Sequence, residues 1–450
     1  MVVQRSACYG NRMSYKLPDT ATAPFCPSET RGAVAIPAGL PLWRKLLRAT
    51  GPGLLVAVGY MDPGNWATDI AAGARFGYDL LFVVLLTSLA AILLQSLAMR
   101  LGLVAGHDLA RMARERYSRG ATLGLWLLAE LAIVATDVAE VLGSALAFNL
   151  LLGVPLWLGV LLTGLDTIVV LGLKGNGFRQ VEAIILGLVT TIAVCFAVQL
   201  VIAGPSLSGI LHGAVPKLAV FADPQAIYLA VGILGATVMP HNLYLHSSIV
   251  QTRVSEPGEA ALKESLRFAT IDIVISLLLA TLVNGAILTL AAATFHESGY
   301  AHVAEIEEAY HLLTPLTGAA AAAILFGIAL FASGQSATFT GTIAGQVILE
   351  GFLDLKIPCW QRRIITRGLA LMPALAGVLW LGDHAVGKLL VLTQVVLSLQ
   401  LPFAIYPLIR FTSNKTIMGV HASGAVVRTV AWGVFAVIVA ANLWLIVQML

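Results

Sequence analysis

The fold of this chain is decided by residues 51–76, GPGLLVAVGYMDPGNWATDIAAGARF, where the polar tetrapeptide Asp62-Pro63-Gly64-Asn65 interrupts an apolar run. Pro63 removes a backbone donor and Gly64 permits unusual dihedral angles, so together they unwind a helix. The backbone of a membrane span must satisfy its own hydrogen bonds, so an interruption at mid-depth is tolerated only where protein or a water-filled cavity covers it. A carboxylate at that depth costs roughly 2.5–3.5 kcal/mol on insertion scales and therefore usually has a function.

A second apolar run, residues 227–250, is interrupted in the same way by Met239-Pro240-His241-Asn242. Paired interruptions in corresponding positions of the two halves of a chain indicate the binding site of a secondary transporter. The breaks fall in the first and sixth of the predicted spans. We therefore expect two five-helix repeats of inverted topology, followed by an eleventh helix.

Composition places the chain among all-α polytopic membrane proteins. Of its 450 residues, 58% are hydrophobic and only 11% are charged, whereas soluble domains have about 25% charged residues. A helical span needs about 20 apolar residues, and eleven segments meet this requirement. Their predicted limits are 49–76, 79–103, 122–152, 155–173, 180–203, 225–250, 267–294, 317–348, 364–382, 386–410 and 427–449.

Lysine and arginine are distributed unevenly over the loops between these spans. With the N-terminus in the cytoplasm, 24 of the 27 fall in cytoplasmic segments, and only Arg75, Lys217 and Lys388 fall outside. This asymmetry predicts a cytoplasmic N-terminus and, because the span count is odd, a C-terminus outside the cell membrane. The predicted domains are a disordered cytosolic tail (1–44), a first repeat (45–203), a second repeat (204–411) and a final loop and span (412–450).

The two breaks together predict a site for a divalent metal ion. Unwinding at the first break frees carbonyls near Gly59 to act beside the Asp62 carboxylate and the Asn65 amide, and such oxygen ligands suit magnesium, calcium or manganese. The second break adds the Met239 thioether and carbonyls near Ala236. A softer ligand favours transition metals, so the combined set suits manganese(II) or iron(II). The alternative for Met239 is a flexible residue that fills a gap in the packing.

The motifs at the two breaks resemble those of the natural resistance-associated macrophage protein (Nramp) family of proton-coupled divalent-metal transporters. The likeness rests on Asp-Pro-Gly-Asn in the first span, Met-Pro-His in the sixth, and the stretch GQSATFTGTIAGQ at 334–346 followed by Glu350-Gly351-Phe352. It covers about residues 45–450 and implies a leucine-transporter-type fold. It also implies the metal ligands, which are the side chains of Asp62, Asn65 and Met239, the carbonyls of Gly59 and Ala236, and, in some states, Gln394.

A second set of carboxylates lies on one face of the third predicted span. Glu130, Asp137 and Glu140 are separated by seven and three residues, which places them on a stripe under 90° wide. Three carboxylates on one face of a membrane helix cannot all be ionised without partners. The natural partners are Arg363 and Arg367, four residues apart at the start of the ninth span. The stripe could carry protons, or it could be a static ion-pair lock between helices.

His241 follows the second break and titrates in the range needed to relay or gate protons. The resemblance places a proton route through Asp62 to Asp137 and Glu140, and we expect His241 and Glu130 to contribute to it. The alternative for His241 is a structural hydrogen bond to the backbone.

Other polar residues have simpler expected roles. Asp166, Glu182 and Asp272 are single acids near span ends or helix contacts and are expected to make structural pairs, and Asn284 is expected to bond between helices. The outer loop at 295–316 carries three His and four Glu residues. It could gather cations or form a solvated amphipathic helix.

Other functional classes lack their motifs. A membrane metalloprotease needs His-Glu-x-x-His, whereas His241 and His246 are five apart without that Glu. The absence of G-x-x-x-x-G-K-[ST] argues against ATP-driven pumping by this chain, and no long cytosolic domain favours a metal sensor. The main alternative is a sodium-coupled amino-acid transporter, which would have small or Gly-rich breaks instead of an Asp and a Met.

We therefore expect a transporter and no enzyme. The metal is cargo and the proton a coupling ion, with no resident cofactor. The four cysteines form no CxxC pair, so they do not indicate a thiolate metal site. The net charge of +3 reflects the excess of Lys and Arg in the loops. We expect neither nucleic acid nor a partner protein. The predicted partner that surrounds the spans is the lipid bilayer.

Overall fold

The structure is a computed structural model that describes residues 31–172, 178–303, 305–354, 359–382 and 386–449, and most of this length is helical. The elements are β1 (Val34–Ile36), α1 (Leu42–Ala49), α2 (Pro52–Gly59), α3 (Pro63–Phe76), α4 (Leu81–Ala105), α5 (Leu109–Arg116), α6 (Arg119–Leu152), α7 (Leu156–Gly172), α8 (Phe178–Ala203), α9 (Leu207–Gly213), α10 (Pro224–Val238), α11 (Pro240–Ile249), β2 (Arg253–Ser255), α12 (Glu259–Ala291), α13 (Ile306–Thr317), α14 (Ala320–Leu353), α15 (Cys359–Leu381), α16 (Val386–Thr412), α17 (Lys415–Met418) and α18 (Ala425–Met449).

Each predicted span coincides with a helix or with a pair of half-helices. Among the described residues, eight helical segments are long and apolar enough to cross a membrane, and two shorter apolar helices cover Leu156–Leu165 and Ile364–Trp380. Some helices extend beyond their predicted spans. Helix α12 begins at Glu259 rather than 267, because the polar residues before the span continue the helix outside the apolar region. The total of eleven spans remains a prediction.

The two broken helices occupy equivalent positions at the start of each repeat. Helix α2 ends at Gly59 and α3 begins at Pro63, while α10 ends at Val238 and α11 begins at Pro240. In both pairs proline occupies the first position of the second half-helix, where its missing N–H costs no hydrogen bond. Asp62 caps α3 by accepting a hydrogen bond from the Asn65 backbone N–H at 3.0 Å. The breaks are therefore specified by local sequence.

Aromatic packing holds the first break at the centre of the molecule. Trp66 lies edge-on to Phe196 of α8 and Phe326 of α14, with ring centroids 4.7 and 5.2 Å away. Its indole N–H donates to the Met61 carbonyl at 3.2 Å, and Ser333 donates to the same oxygen at 2.6 Å. The carbonyl freed at Met61 is thus satisfied, and the break is rigidly positioned.

Ionic and backbone contacts tie together the predicted cytoplasmic ends of the spans. Glu182 of α8 pairs with Arg253 at 2.6 Å and with Arg179 at 2.9 Å. Asp272 of α12 accepts hydrogen bonds from the backbone N–H groups of Gly51 and Gly53, at the start of α2. Both acids have the structural role predicted for them. The side chain of Asp166 lies outside the described residues.

Part of the predicted tail, 1–44, is folded. Residues 34–36 form β1, which pairs in parallel with β2, and α1 begins at Leu42. The structure differs from the prediction here because β1 finds its partner at 253–255, far along the chain, and this pairing is invisible in local composition. Residues 1–30 lie outside the described part of the chain. Within the described residues, β1 and β2 are the strands that depart from the all-α prediction.

The outer loop contains an amphipathic helix. Helix α13 buries Ile306, Ala309 and Leu313, and its polar side carries Glu308, 3.7 Å from His302. This arrangement matches the second of the two roles considered for the loop.

Candidate metal-binding site

The first break concentrates polar atoms around the Asn65 side chain. The Asn65 amide nitrogen lies 2.6 Å from Asp62 Oδ1 and 3.5 Å from the Gly59 carbonyl oxygen. The same nitrogen lies 3.1 Å from the carbonyl oxygen of Ala236 at the second break. Three oxygen acceptors thus converge on one point. An amide rotated by 180° would present its own oxygen there, because amide oxygen and nitrogen have nearly the same shape.

Met239 is the only residue between α10 and α11 and is fully buried. Its sulfur lies 3.7 Å from the amide nitrogen of Asn242, which also approaches the Val56 carbonyl at 3.4 Å. A Cβ at Gly59 would overlap this same Asn242 amide. The thioether and the Gly59 end of α2 therefore both lie next to the Asn242 amide, and the structure brings the two breaks together.

Gln394 of α16 also reaches this place. A Cβ at Gly64 would overlap the Gln394 amide nitrogen and lie 3.1 Å from Asp62 Oδ2. The Gln394 amide donates to Thr393 Oγ1 at 3.1 Å, which leaves its oxygen available. All six ligands implied by the sequence resemblance therefore lie around the two breaks.

Several buried oxygens at this place have no hydrogen-bond partner among the described residues. They are Asp62 Oδ2, Gln394 Oε1, Asn242 Oδ1, Asn284 Oδ1 and Thr237 Oγ1. Buried polar atoms are costly unless satisfied. Of these atoms, Asp62 Oδ2 and the Gln394 amide both lie beside Gly64, where a cation would satisfy them. In the described part of the chain no three His, Cys, Asp or Glu side chains form a metal-binding group. A cation here would therefore depend on amide, thioether and carbonyl ligands.

Two asparagines were not predicted as parts of this site. Asn284 of α12 donates to the Tyr60 carbonyl at 2.8 Å and to Asn65 Oδ1 at 3.3 Å. Its predicted interhelical bonding is confirmed, and its target proves to be the break itself. Asn242 contacts both the Met239 sulfur and the Val56 carbonyl of α2. The sequence does show that each of these amides lies in an otherwise apolar span. It does not show which helix the amide faces, so their place in the site could not be predicted.

The carboxylate stripe of α6 faces α14 close to the first break. A Cβ at Gly341 would lie 2.6 Å from Glu140 Oε1 and 3.2 Å from Asp137 Oδ1. One turn further along α6, Gly143 packs so closely on Pro63 that a Cβ would overlap its ring. The stripe therefore leads towards the break. Glu130 is half-buried at the other end of the stripe.

Of the two arginines predicted to pair with the carboxylate stripe, the structure describes the side chain of one, Arg367. Arg367 of α15 is buried, donates to the Thr163 carbonyl at 3.0 Å and lies within electrostatic reach of Asp137 and Glu140. The side chain of Arg363 lies outside the described residues. His241 Nδ1 lies 3.2 Å from Thr136 Oγ1, the neighbour of Asp137 in sequence. His241 thus contacts a side chain of α6. The alternative considered from the sequence was a hydrogen bond from His241 to the backbone.

The chain is similar to a protein family, to named relatives and to solved structures. A family model described as natural resistance-associated macrophage protein-like matches residues 53–448. The chain is 62% identical over 434 residues to a Ralstonia nicotianae protein named divalent metal cation transporter MntH, covering 96% of this chain and 98% of that one. A crystal structure of an Eremococcus coleocola manganese transporter variant matches with TM-score 0.86 at 37% identity, covering 92% of this chain and 89% of that one.

More distant structures share the fold alone. A nucleobase–cation symport family transporter in a closed conformation matches with TM-score 0.59 at 16% identity, covering 95% of this chain and 94% of that one. The predicted leucine-transporter-type fold is confirmed by these matches.

Proposed function

Because this chain belongs to the natural resistance-associated macrophage protein (Nramp) family, we propose that it is a proton-coupled importer of manganese(II), iron(II) or both. Its relatives are named as divalent metal cation and manganese transporters, so the broad class of the chain is a divalent metal transporter. The preference between the two metals, the coupling ion and the transport cycle are the finer parts of the proposal.

The observation that carries the proposal is the convergence of carboxylate and carbonyl oxygens between two broken helices. Asp62 supplies the negative charge, and the carbonyls of Gly59 and Ala236 supply neutral oxygens around the Asn65 amide. With its amide rotated by 180°, Asn65 would add its own oxygen. Met239 adds the softer ligand that favours transition metals over magnesium and calcium. This donor set supports manganese(II) or iron(II) as cargo, with Gln394 joining as a further ligand.

The breaks also support transport by alternating access. A broken span consists of two half-helices that can tilt separately about the unwound segment. In the first span, the start of α2 is held by Asp272 and the residues just before it by Arg179 and Arg253, whereas α3 is held by the aromatic cluster around Trp66. We propose that release of α2 opens the site to the cytoplasm and that movement of α3 opens it to the outside.

The proton route in this proposal runs from Asp62 to the α6 stripe. Asp137 and Glu140 lie on the face of α6 that continues to the Gly143–Pro63 contact, and Glu130 continues the stripe. The Thr136–His241 contact supports His241 as a relay or gate. Arg367, and by sequence position Arg363, would serve as the counter-charges.

The localisation in this proposal is the cell membrane, with the N-terminus in the cytoplasm and the C-terminus outside. The Lys and Arg asymmetry supports this orientation. The proposed cargo and coupling ion need neither a resident cofactor nor a partner protein.

Purified protein in liposomes tests the proposal directly. An inward proton gradient should drive manganese uptake, and metal addition should acidify the interior of vesicles that contain the protein. Protein-free vesicles and vesicles with Asp62→Asn provide the controls, since this substitution keeps the side-chain shape while removing its charge. Manganese uptake without acidification would reject proton coupling, and absence of metal uptake would reject the metal cargo.

A further inference from the structure

Helix α1 has three different sides, although it is only eight residues long. One side packs on the protein, where Ala49 and Leu46 contact Ile36 and Phe268, and Lys45 pairs with Glu264 of α12 at 2.9 Å. A second side is apolar and exposed: Trp43 is 58% exposed and Leu47 56%. Leu42, the first residue of the helix, is 63% exposed. The third side carries two exposed arginines, Arg44 and Arg48. At 100° per residue, Trp43 and Leu47 lie between the packed side and the arginines, whereas Leu42 falls on the packed side.

The position of α1 indicates what covers its apolar side. The helix ends at Ala49, and α2, the first half of the first span, begins at Pro52. An eight-residue helix is only about 12 Å long and cannot cross a bilayer. Its exposed side therefore lies at the membrane boundary. A tryptophan beside basic residues on a short amphipathic helix is typical of helices that lie in the headgroup region.

The charges of α1 indicate which lipids it meets. The helix has no acidic residue, and the guanidinium of Arg44 lies 5.0 Å from the ring centroid of Trp43. Arg48 is partly engaged, since it donates to the Ala35 carbonyl at 3.1 Å. Arg44 is thus a cation held next to the apolar side.

We propose that α1 is a membrane-surface helix that inserts Trp43 and Leu47 into the cytoplasmic leaflet and binds anionic phospholipid headgroups through Arg44. This anchor is connected to the transport machinery. The carbonyls of Leu47 and Thr50 accept from Arg179, and those of Arg48 and Thr50 accept from Arg253. Lipid bound at α1 therefore acts on the same arginines that hold the start of the first span.

Quenching of tryptophan fluorescence by brominated lipids tests this inference without any transport measurement. The protein has eight tryptophans, so the signal of Trp43 is the difference between the parent and Trp43→Phe. We expect brominated phosphatidylglycerol to quench this signal more than brominated phosphatidylcholine does at the same mole fraction. A single cation near an anionic surface predicts roughly fivefold enrichment of the anionic lipid.

Matched variants separate recognition of the headgroup from general contact with lipid. Arg44→Gln should abolish the excess quenching by phosphatidylglycerol, Arg44→Lys should retain it, and Arg116→Gln, an exposed arginine elsewhere, should leave it unchanged. Trp157→Phe reports an exposed tryptophan with no Lys or Arg within ten positions, where we expect equal quenching by both lipids. The proposal is overturned if Trp43 is not quenched, if both lipids quench it equally, or if Arg44→Gln keeps the excess.

Discussion

The Asp62 carboxylate bears the only full charge among the proposed ligands, and its Oδ2 atom is buried without a hydrogen-bond partner. We expect Asp62→Ala to reduce manganese uptake to the level of protein-free liposomes, because the remaining ligands are neutral. Uptake per correctly inserted molecule is the measurement. Undiminished uptake would show that the metal binds elsewhere.

Met239 is the proposed selectivity element, because it is the one soft ligand in a set of oxygens. Met239→Ala should therefore allow calcium or magnesium to compete better for manganese uptake. Competition curves for each ion, with the parent protein as reference, measure the change. If the curves of the variant and the parent coincide, Met239 fills space and does not select the metal.

Gly64 provides a test of Gln394 that leaves Gln394 itself unchanged. In Gly64→Ala the new methyl group would overlap the Gln394 amide and approach Asp62 Oδ2. We expect uptake to fall tenfold to on the order of a hundredfold, the range expected when a positioned group moves by about 1 Å. Gly124→Ala is the matched control, since a Cβ there meets nothing within 4 Å. Equal uptake by both variants would remove Gln394 from the site.

Helix α6 carries its carboxylates on one face, separate from the half-helices that hold the proposed metal ligands. Asp137 and Glu140 face Gly341 of α14, and neither is one of the atoms that converge on Asn65. The function of this helix is therefore separable from metal binding. A helix that acts only as scaffold would instead affect folding.

The double variant Asp137→Asn with Glu140→Gln tests this separation. We expect metal binding to be retained while the proton flux per metal and the pH dependence of uptake both decrease. Parallel traces of metal uptake and internal pH give the ratio, and Asp79→Asn, an exposed carboxylate paired with Lys217, is the control. Poor expression with unchanged coupling in the surviving protein would identify the stripe as a static lock.

The loop charges predict the orientation of the whole molecule, and the structure adds contacts that join its two halves. Residues 34–36 of the first half pair with 253–255 of the second, and Arg253 pairs with Glu182. These contacts lie on the side with excess Lys and Arg. The predicted cytoplasmic surface is therefore also the place where the repeats are bound together.

A cysteine added at each terminus tests the orientation. In intact cells, a membrane-impermeant thiol reagent should label a cysteine at the C-terminus and leave one at the N-terminus unlabelled until the cells are opened. The parent protein reports labelling of its own cysteines, of which Cys195 is buried. Labelling of the N-terminal cysteine in intact cells would reverse the predicted topology.

The sequence by itself determined the class of the molecule, the positions of the two breaks and the proposed ligands at the breaks, whereas Gln394 was implied only by the family resemblance. These features are local. Proline and glycine act on their own backbone, Asp62 caps its own helix, and apolar length alone marks a span. For the same reason the motif at Asp62 and the carboxylate stripe on α6 could be identified without any knowledge of packing.

Only the tertiary structure decided which of these residues meet. Asn65 and Ala236 are 171 positions apart, and their contact depends on how α3 and α10 pack. The same is true of Gln394 beside Gly64, of His241 beside Thr136 and of Asn284 on the Tyr60 carbonyl. The folded part of the predicted tail is explained in the same way, because a three-residue strand exists only through its distant partner. Local sequence specifies where a helix breaks, whereas the contacts made by the freed atoms depend on neighbours supplied by the fold.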